Sequence, residues 1–309
     1  MSWAFLFGVV IPYAALAVFL AGVVYRVVKW ASAPVPFRIP VTCGQQKSLP
    51  WIKASKVENP SGPWGVLARI ALEVLFFRSL IRNTRAELRP GPKLAYHWEK
   101  WLWVGSLVFH WSVLIILIRH LRLFTEPVPA FVSGLEGLDA FFRLGQPVLY
   151  MTDVTVVAAV TYLLIRRALI PRVRYISLPG DYILPLLILA VALSGILMRY
   201  FLRVDVPSVK ELALGLVTFR PRVPDGIGAI FYIHLLLVSL LLACFPFSKL
   251  VHMAGIFLSP TRNLANNSRA RRHVNPWNYP VKVHTYAQYE EEFREKMRLA
   301  GIPVEEEGA

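Results

Sequence analysis

The chain alternates long apolar runs with basic, polar connections, and the runs have the length of a membrane crossing. A helix rising 1.5 Å per residue needs about twenty apolar residues to traverse a hydrocarbon layer roughly 30 Å thick. Five stretches meet that requirement or come close, at approximately 3–25, 100–120, 147–165, 182–202 and 227–250. The third contains Asp153 and the fifth His234, but the flanking residues 156–165 and 235–244 are strongly apolar, so both are read as spans. The first run has no Lys or Arg ahead of it and ends in Arg26 and Lys29. That is the reverse of a secretory signal, and it predicts an uncleaved span. The pattern as a whole predicts an all-α integral membrane protein, a bundle of five transmembrane helices.

Basic residues orient such a bundle, because loops rich in Lys and Arg stay on the cytoplasmic side. The connection 26–99 carries Arg38, Lys47, Lys53, Lys56, Arg69, Arg78, Arg82, Arg85, Arg89 and Lys93 with few acidic residues. The link after the third span has Arg166, Arg167, Arg172 and Arg174, and the segment after the fifth has Arg262, Arg269, Arg271 and Arg272. All three belong on the inner side. The connections 121–146 and 203–226 mix both signs, as outer loops do. The N-terminus is therefore expected outside and the C-terminus in the cytoplasm. Residues 1–257 would form the membrane domain and 258–309 a cytoplasmic tail of a multi-pass cell-membrane protein.

Composition agrees with this reading. Of 309 residues, 56% are hydrophobic and 17% charged, against roughly 25% charged in an ordinary soluble domain. The net charge of +15 would suggest nucleic acid in a soluble chain, but topology accounts for most of it, so membrane lipid rather than nucleic acid is the expected partner. Cys43 and Cys244 alone cannot supply a disulfide framework, a four-cysteine zinc site or an iron–sulfur cluster. Within the inner connection, residues 66–80 alternate apolar positions with Arg69, Glu73 and Arg78 at helical spacing. They predict an amphipathic helix that lies on the membrane, under a partner subunit, or against its own bundle. The tail starts basic and ends in Glu305, Glu306 and Glu307, the pattern of a soluble docking or partly disordered extension.

The chemistry lies in the histidines. His97, His273 and His284 fall in polar surroundings and read as surface imidazoles. His110 and His120 on the second span, and His234 and His252 on the fifth, lie in or at the ends of apolar runs, where ionisable groups are rare and usually functional. Neutral imidazole is a common axial ligand of haem iron, and a six-coordinate bis-histidine iron suits electron transfer. Four such histidines would hold two haems. The two spans run in opposite directions, so equal depth pairs His120 with His234 near the outer face and His110 with His252 near the inner. The spacings are unequal: ten residues, or about 15 Å of rise, against eighteen, or about 27 Å. Helix tilt, inclined haems or a bend at Pro246 must absorb the difference.

Two histidines ten apart on a second span and two eighteen apart on a fifth resemble the gamma subunit of respiratory nitrate reductase, a dihaem cytochrome b that oxidises quinol. The loop motif Thr42-Cys43-Gly44-Gln45-Gln46-Lys47 with Leu49-Pro50-Trp51-Ile52-Lys53 more closely resembles the DsrM branch of this family, from the Dsr electron-transfer complex of sulfur-metabolising prokaryotes. The resemblance implies two haem b on His110, His120, His234 and His252, and menaquinol or menaquinone as substrate. It implies the role of quinol-oxidising subunit in a multi-subunit oxidoreductase of anaerobic sulfur or sulfate respiration. The implied partners are a cytoplasmic iron–sulfur subunit resembling heterodisulfide reductase, a periplasmic multihaem cytochrome c, a periplasmic iron–sulfur protein and a second membrane subunit. It also places the quinol site beside the outer haem. There Asp153 is a candidate proton acceptor, and Arg119, Arg122 or Arg143 candidate contacts to quinone or haem propionates, with Arg199 and Arg203 of the same standing.

Two alternatives stand beside that expectation. A haem-free transporter or structural anchor would use the intramembrane histidines for protons or helix contacts. A cytochrome b that delivers electrons to quinone would have the same sequence, and the family does not fix the direction of flow. Trp101 and Trp103 fit an interfacial aromatic belt.

Overall fold

The computed structural model describes residues 2–33, 55–82, 84–91, 93–140, 147–266 and 284–305. The loop motif around Cys43, and the candidate Arg143, lie outside the described residues. Along the chain run α1 (Trp3–Ala31), α2 (Pro63–Phe76), α3 (Arg78–Arg82), strands β1 (Thr84–Arg89) and β2 (Lys93–Trp98), α4 (Lys100–Phe124) and α5 (Ala130–Asp139). There follow α6 (Met151–Leu169), α7 (Gly180–Leu202), α8 (Val206–Val217), α9 (Ala229–Cys244), α10 (His252–Leu258) and α11 (Tyr286–Leu299), with single turns between several of them.

Among the described residues, four helices are long and apolar enough to cross a membrane: α1, α4, α7 and the run Ala229–Phe247 that contains α9. The expected third span, α6, has 19 residues, which at 1.5 Å each is crossing length. It also carries Asp153 in its first turn and Arg166 and Arg167 in its last, and its polarity sets it apart from the other four.

Three expectations change. The fifth run is not one helix through residue 250: α9 stops at Cys244 and two single 3-10 turns, Phe245–Phe247 and Lys249–Val251, lead into α10. Pro246 lies in the first of these turns, where its missing N–H cannot continue an α-helical ladder. The amphipathic stretch 66–80 is likewise broken, because Phe77 takes a left-handed conformation (φ 50°) between α2 and α3. Finally, β1 and β2 form a two-stranded antiparallel hairpin in the inner connection, Thr84 opposite Trp98 and Arg89 opposite Lys93. Gly91, with φ 77°, turns the chain between them.

The helices pack as a series of neighbours: α4 on α6, α6 on α7, α7 on α9, and α9 on α1. Small and hydroxyl residues let them approach, the usual device where lipid removes the hydrophobic drive between helices. A Cβ on Gly105 of α4 would stand 2.6 Å from the Tyr162 ring of α6, and Ser112 Oγ meets Thr155 Oγ1 at 2.7 Å between the same helices. Val9 of α1, Val209 and Leu212 of α8, Ile227, and Phe231 and Tyr232 of α9 form a buried apolar cluster at the other flank. Below it, Gly22 of α1 lies against Pro246, and Arg26 Nε donates to the Pro246 carbonyl at 3.1 Å.

At the end of α4 that follows the hairpin, α2 is tied to the bundle. Trp103 and Trp111 of α4 donate their indole N–H groups to the carbonyls of Phe76 (2.7 Å) and Leu75 (3.0 Å) at its last turn. The buried Arg69 donates from Nη2 to the carbonyls of Arg262 (2.7 Å) and Leu264 (2.9 Å). The beginning of the tail therefore folds back on the inner connection. Farther along, α11 starts with a capping box, Thr285 Oγ1 accepting from Gln288 N and the Gln288 side chain accepting from Thr285 N.

The contact at Gly22 yields a prediction. A Cβ there would lie 2.5 Å from Pro246 Cγ, and a rigid pyrrolidine cannot step aside. Gly22→Ala is expected to destabilise the bundle by about 1–3 kcal/mol, read as a lower thermal midpoint in detergent, whereas Gly134→Ala, inside α5 with nothing within 4 Å, keeps or raises the midpoint, since alanine is the better helix former.

Candidate functional site

His110, His120, His234 and His252 stand in two pairs, between α4 on one side and α9 with α10 on the other. Among the described residues α4 does not pack closely on α9, because α6 and α7 complete the series between them. The pairs occupy the separation. His110 and His252 face each other with ring centroids 6.0 Å apart and planes 80° apart. His120 and His234 lie within electrostatic range of one another. His110 therefore stands beside His252, and His120 in the neighbourhood of His234.

Each ring has one nitrogen committed to the protein. Nδ1 of His110 lies 2.7 Å from the Ser106 carbonyl, Nδ1 of His120 2.7 Å from that of Ile116, and Nδ1 of His252 2.7 Å from that of Lys249. A carbonyl can only accept, so each Nδ1 carries the proton and each Nε2 keeps its lone pair. His234 reaches the same state by another route. Its Nδ1 is 2.8 Å from Ser194 Oγ, and that hydroxyl donates to the Val191 carbonyl at 2.9 Å. Having spent its only proton, Ser194 must accept from His234. Gly195 of α7 lies against the same ring: a Cβ there would stand 3.4 Å from His234 Cε1, in van der Waals contact. All four histidines thus present a bare Nε2, the atom that binds a metal, with the tautomer fixed from behind.

The separation of His110 and His252 leaves room for a metal ion between them. Metal–imidazole bonds of about 2.0–2.1 Å, plus the roughly 1 Å from nitrogen to ring centre, put the centroids of two trans imidazoles roughly 6 Å apart. His110 and His252 match this. Phe77 and Phe109 set their rings edge-on to His110 at 4.8 and 5.0 Å. For Phe77 this contact accompanies its positive φ, a conformation that costs a bulky residue of order 1 kcal/mol or more.

Beside His120 and His234 lies a largely buried polar network. Arg119, the neighbour of His120, donates from Nη1 to Asp139 Oδ2 (2.6 Å), Thr152 Oγ1 (2.9 Å) and Asp153 Oδ1 (3.3 Å). Asp139 Oδ1 in turn accepts from Thr152 N at 2.9 Å. Tyr200 donates its hydroxyl to Asp153 Oδ2 at 2.7 Å and accepts from Tyr150 N at 3.1 Å. The Tyr150 ring lies under two guanidinium groups, Arg119 at 3.4 Å and Arg199 at 4.2 Å. The last turn of α7, Leu197–Leu202, is π-helical. Such a turn shifts side chains round the helix, and these bulges recur at functional sites; Arg199 and Tyr200 lie on it. Among the described residues, the buried Nε atoms of Arg119 and Arg199 have no acceptor.

A cleft of about 320 Å³ opens next to this network, lined by Leu149, Asp153, Val154, Ile196, Tyr200 and Phe201. Of the sequence candidates, Asp153 lines the cleft and Arg119 and Arg199 support the network behind it. Arg122 is instead half exposed and paired with Glu136 at 3.0 Å, and Arg203 closes α7 with φ 46°. Asp139, Tyr150, Thr152, Ser194 and Tyr200 were not singled out by sequence reasoning.

Comparison with known proteins converges on the same region. Residues 63–270 match the nitrate reductase gamma subunit family. The chain is 47% identical over 279 residues to the Hdr-like menaquinol oxidoreductase cytochrome b-like subunit of Archaeoglobus fulgidus, covering 88% of this chain and 83% of that one. It is 41% identical to the protein of the same description from Archaeoglobus profundus, over 90% of this chain and 84% of that one. The nitrate reductase gamma chain of Bacillus subtilis is 24% identical over 62% of this chain and 90% of its own length.

The two arginines differ in what their removal should cost. Arg119 and Asp139 are 10% and 3% exposed at the side chain, so Arg119→Leu strands two buried carboxylates and is expected to destabilise by about 3–5 kcal/mol. Arg122→Ala, losing a pair with 45% exposure at the arginine, should cost under about 1 kcal/mol. Thermal unfolding of the two variants in one detergent compares them directly.

Proposed function

Since the chain belongs to the nitrate reductase gamma subunit family, we propose that it is a five-span, dihaem membrane cytochrome b that exchanges electrons between menaquinol and a cytoplasmic iron–sulfur partner. The observation that carries this reading is the set of four imidazoles with Nδ1 tied to the protein and Nε2 bare, one pair at the separation of trans ligands. His120 with His234 would hold the outer haem and His110 with His252 the inner. When bound, the two haems supply one-electron conduction from the outer to the inner half of the membrane. The orientation that goes with it has the N-terminus outside and α6 as the polar third span. The Hdr-like menaquinol oxidoreductase relatives support menaquinol as the reductant and a multi-subunit complex as the setting, with the DsrM branch and its heterodisulfide-reductase-like subunit as the finer assignment.

The cleft at Asp153 suits a lipid-soluble quinol. Its rim residues Val154 and Phe201 are exposed apolar side chains on the flanks of α6 and α7, so entry is lateral from lipid. Quinol oxidation releases two protons with its two electrons. The Asp153 carboxylate, reached directly or through the Tyr200 hydroxyl that donates to it, accepts one as it leaves the substrate oxygen. Arg119 keeps that carboxylate oriented, and the free Nε–H groups of Arg119 and Arg199 are available to an oxygen acceptor of the quinone or of a haem propionate. With protons released outside and electrons drawn inward, charge separates across the membrane without pumping.

A dithionite-reduced minus oxidised spectrum of the detergent-purified chain, with pyridine haemochrome quantitation, tests the proposal. Two b-type haems per chain are expected, falling to about one in His110→Ala and in His234→Ala; a folded but colourless wild type, expressed with ample haem, refutes the reading. Asp153→Asn should keep both haems and slow their reduction by a menaquinol analogue by roughly a hundredfold.

A further inference from the structure

The break after Cys244 leaves His252 without the support that the other three ligands have. His110 and His120 lie inside α4 and His234 inside α9, whereas His252 opens the seven-residue α10 and is reached through the two 3-10 turns around Pro246. A metal ligand must be held within about 0.5 Å of its productive position, and a short segment between turns does not do this alone. Arg26 and Gly22 fix the first turn at Pro246 from α1. Ser248 Oγ caps the second by accepting from Leu250 N at 3.2 Å.

A further contact comes from α7. Lys249 Nζ reaches Asp181 Oδ1 at the start of α7, 2.6 Å away. Lys249 is 73% exposed at its side chain and Asp181 only 7%, so a solvated ammonium grips a carboxylate that is itself fixed. Asp181 Oδ2 accepts from Leu178 N at 3.0 Å and lies 3.7 Å from Arg167 Nη1, which donates to Ser177 Oγ at 2.8 Å. The carbonyl of the same Lys249 accepts the Nδ1 proton of His252. One residue is thus anchored to α7 by its side chain and to the ligand ring by its backbone.

We propose that Lys249, clamped by Asp181, is the positioning residue of the inner haem: it sets the place of His252 and the direction of the hydrogen bond behind its ring. The inference rests on the dihaem reading, and its test separates the two. Potentiometric titration and low-temperature EPR of the purified full chain resolve two low-spin haems, the inner one being that lost in His252→Ala. In Lys249→Met and in Asp181→Asn the inner component is expected to shift in midpoint potential and g-anisotropy, and to be lost roughly tenfold more readily on washing. The outer component stays in place, and Lys249→Arg restores the wild-type inner signal. Two normal haems unmoved in both variants overturn the positioning role alone, as does an equal shift of both components with a lowered thermal midpoint. A colourless wild type overturns the dihaem reading and this role with it.

Discussion

A histidine inside a membrane has to settle the proton on one ring nitrogen before the other can serve a metal. In hydrocarbon no water offers a partner, so the acceptor must come from the protein. In this chain it comes from backbone carbonyls three or four residues back for His110, His120 and His252, and from a serine hydroxyl already committed elsewhere for His234. Much of the local architecture follows from that requirement. Helix α7 packs against α9 so that Ser194 reaches the His234 ring, and the turn before His252 points the Lys249 carbonyl at its ring.

The same rule governs the outer network. Asp139 and Asp153 are tolerable at this depth because Arg119, Thr152 and Tyr200 satisfy them. Tyr150, between two guanidinium groups, spreads their charge over an aromatic face. This end of the bundle is therefore polar but saturated, apart from the two arginine Nε atoms. That combination makes a preorganised binding surface: donors are held in place before a ligand arrives, and ordering them costs little at the moment of binding.

The sequence made the histidines legible because polar residues in apolar runs stand out, and opposed helix directions pair them by depth without any knowledge of packing. The apolar runs of α1, α4 and α7 were legible for the same reason. What it did not reveal depended on conformations that carry no periodic signal. Pro246 marked a bend, but not that two 3-10 turns would replace the helix there. Phe77 is an apolar residue in an apolar stretch, and nothing in its neighbours announces a positive φ. Tyr200 and Ser194 looked like ordinary span residues, since their roles arise only when α6, α7 and α9 are set side by side. The charged hairpin at 84–98 lacks the alternation of apolar and polar positions by which strands are read.

In the series of neighbours that runs from α4 through α6, α7 and α9 to α1, α4 and α9 stand apart and are joined at one end through α8, which packs on α4 and on the cluster shared by α9 and α1. Viewed mechanically, this is the loosest joint of a ring, and the two histidine pairs sit at that joint. Any group that takes both members of a pair ties the first helix of the series to its fourth. The affinity for such a group is then also a term in the cohesion of the bundle, growing as RT ln(1 + [L]/Kd) with its free concentration. On the dihaem reading, cofactor supply would then add directly to the cohesion of the bundle.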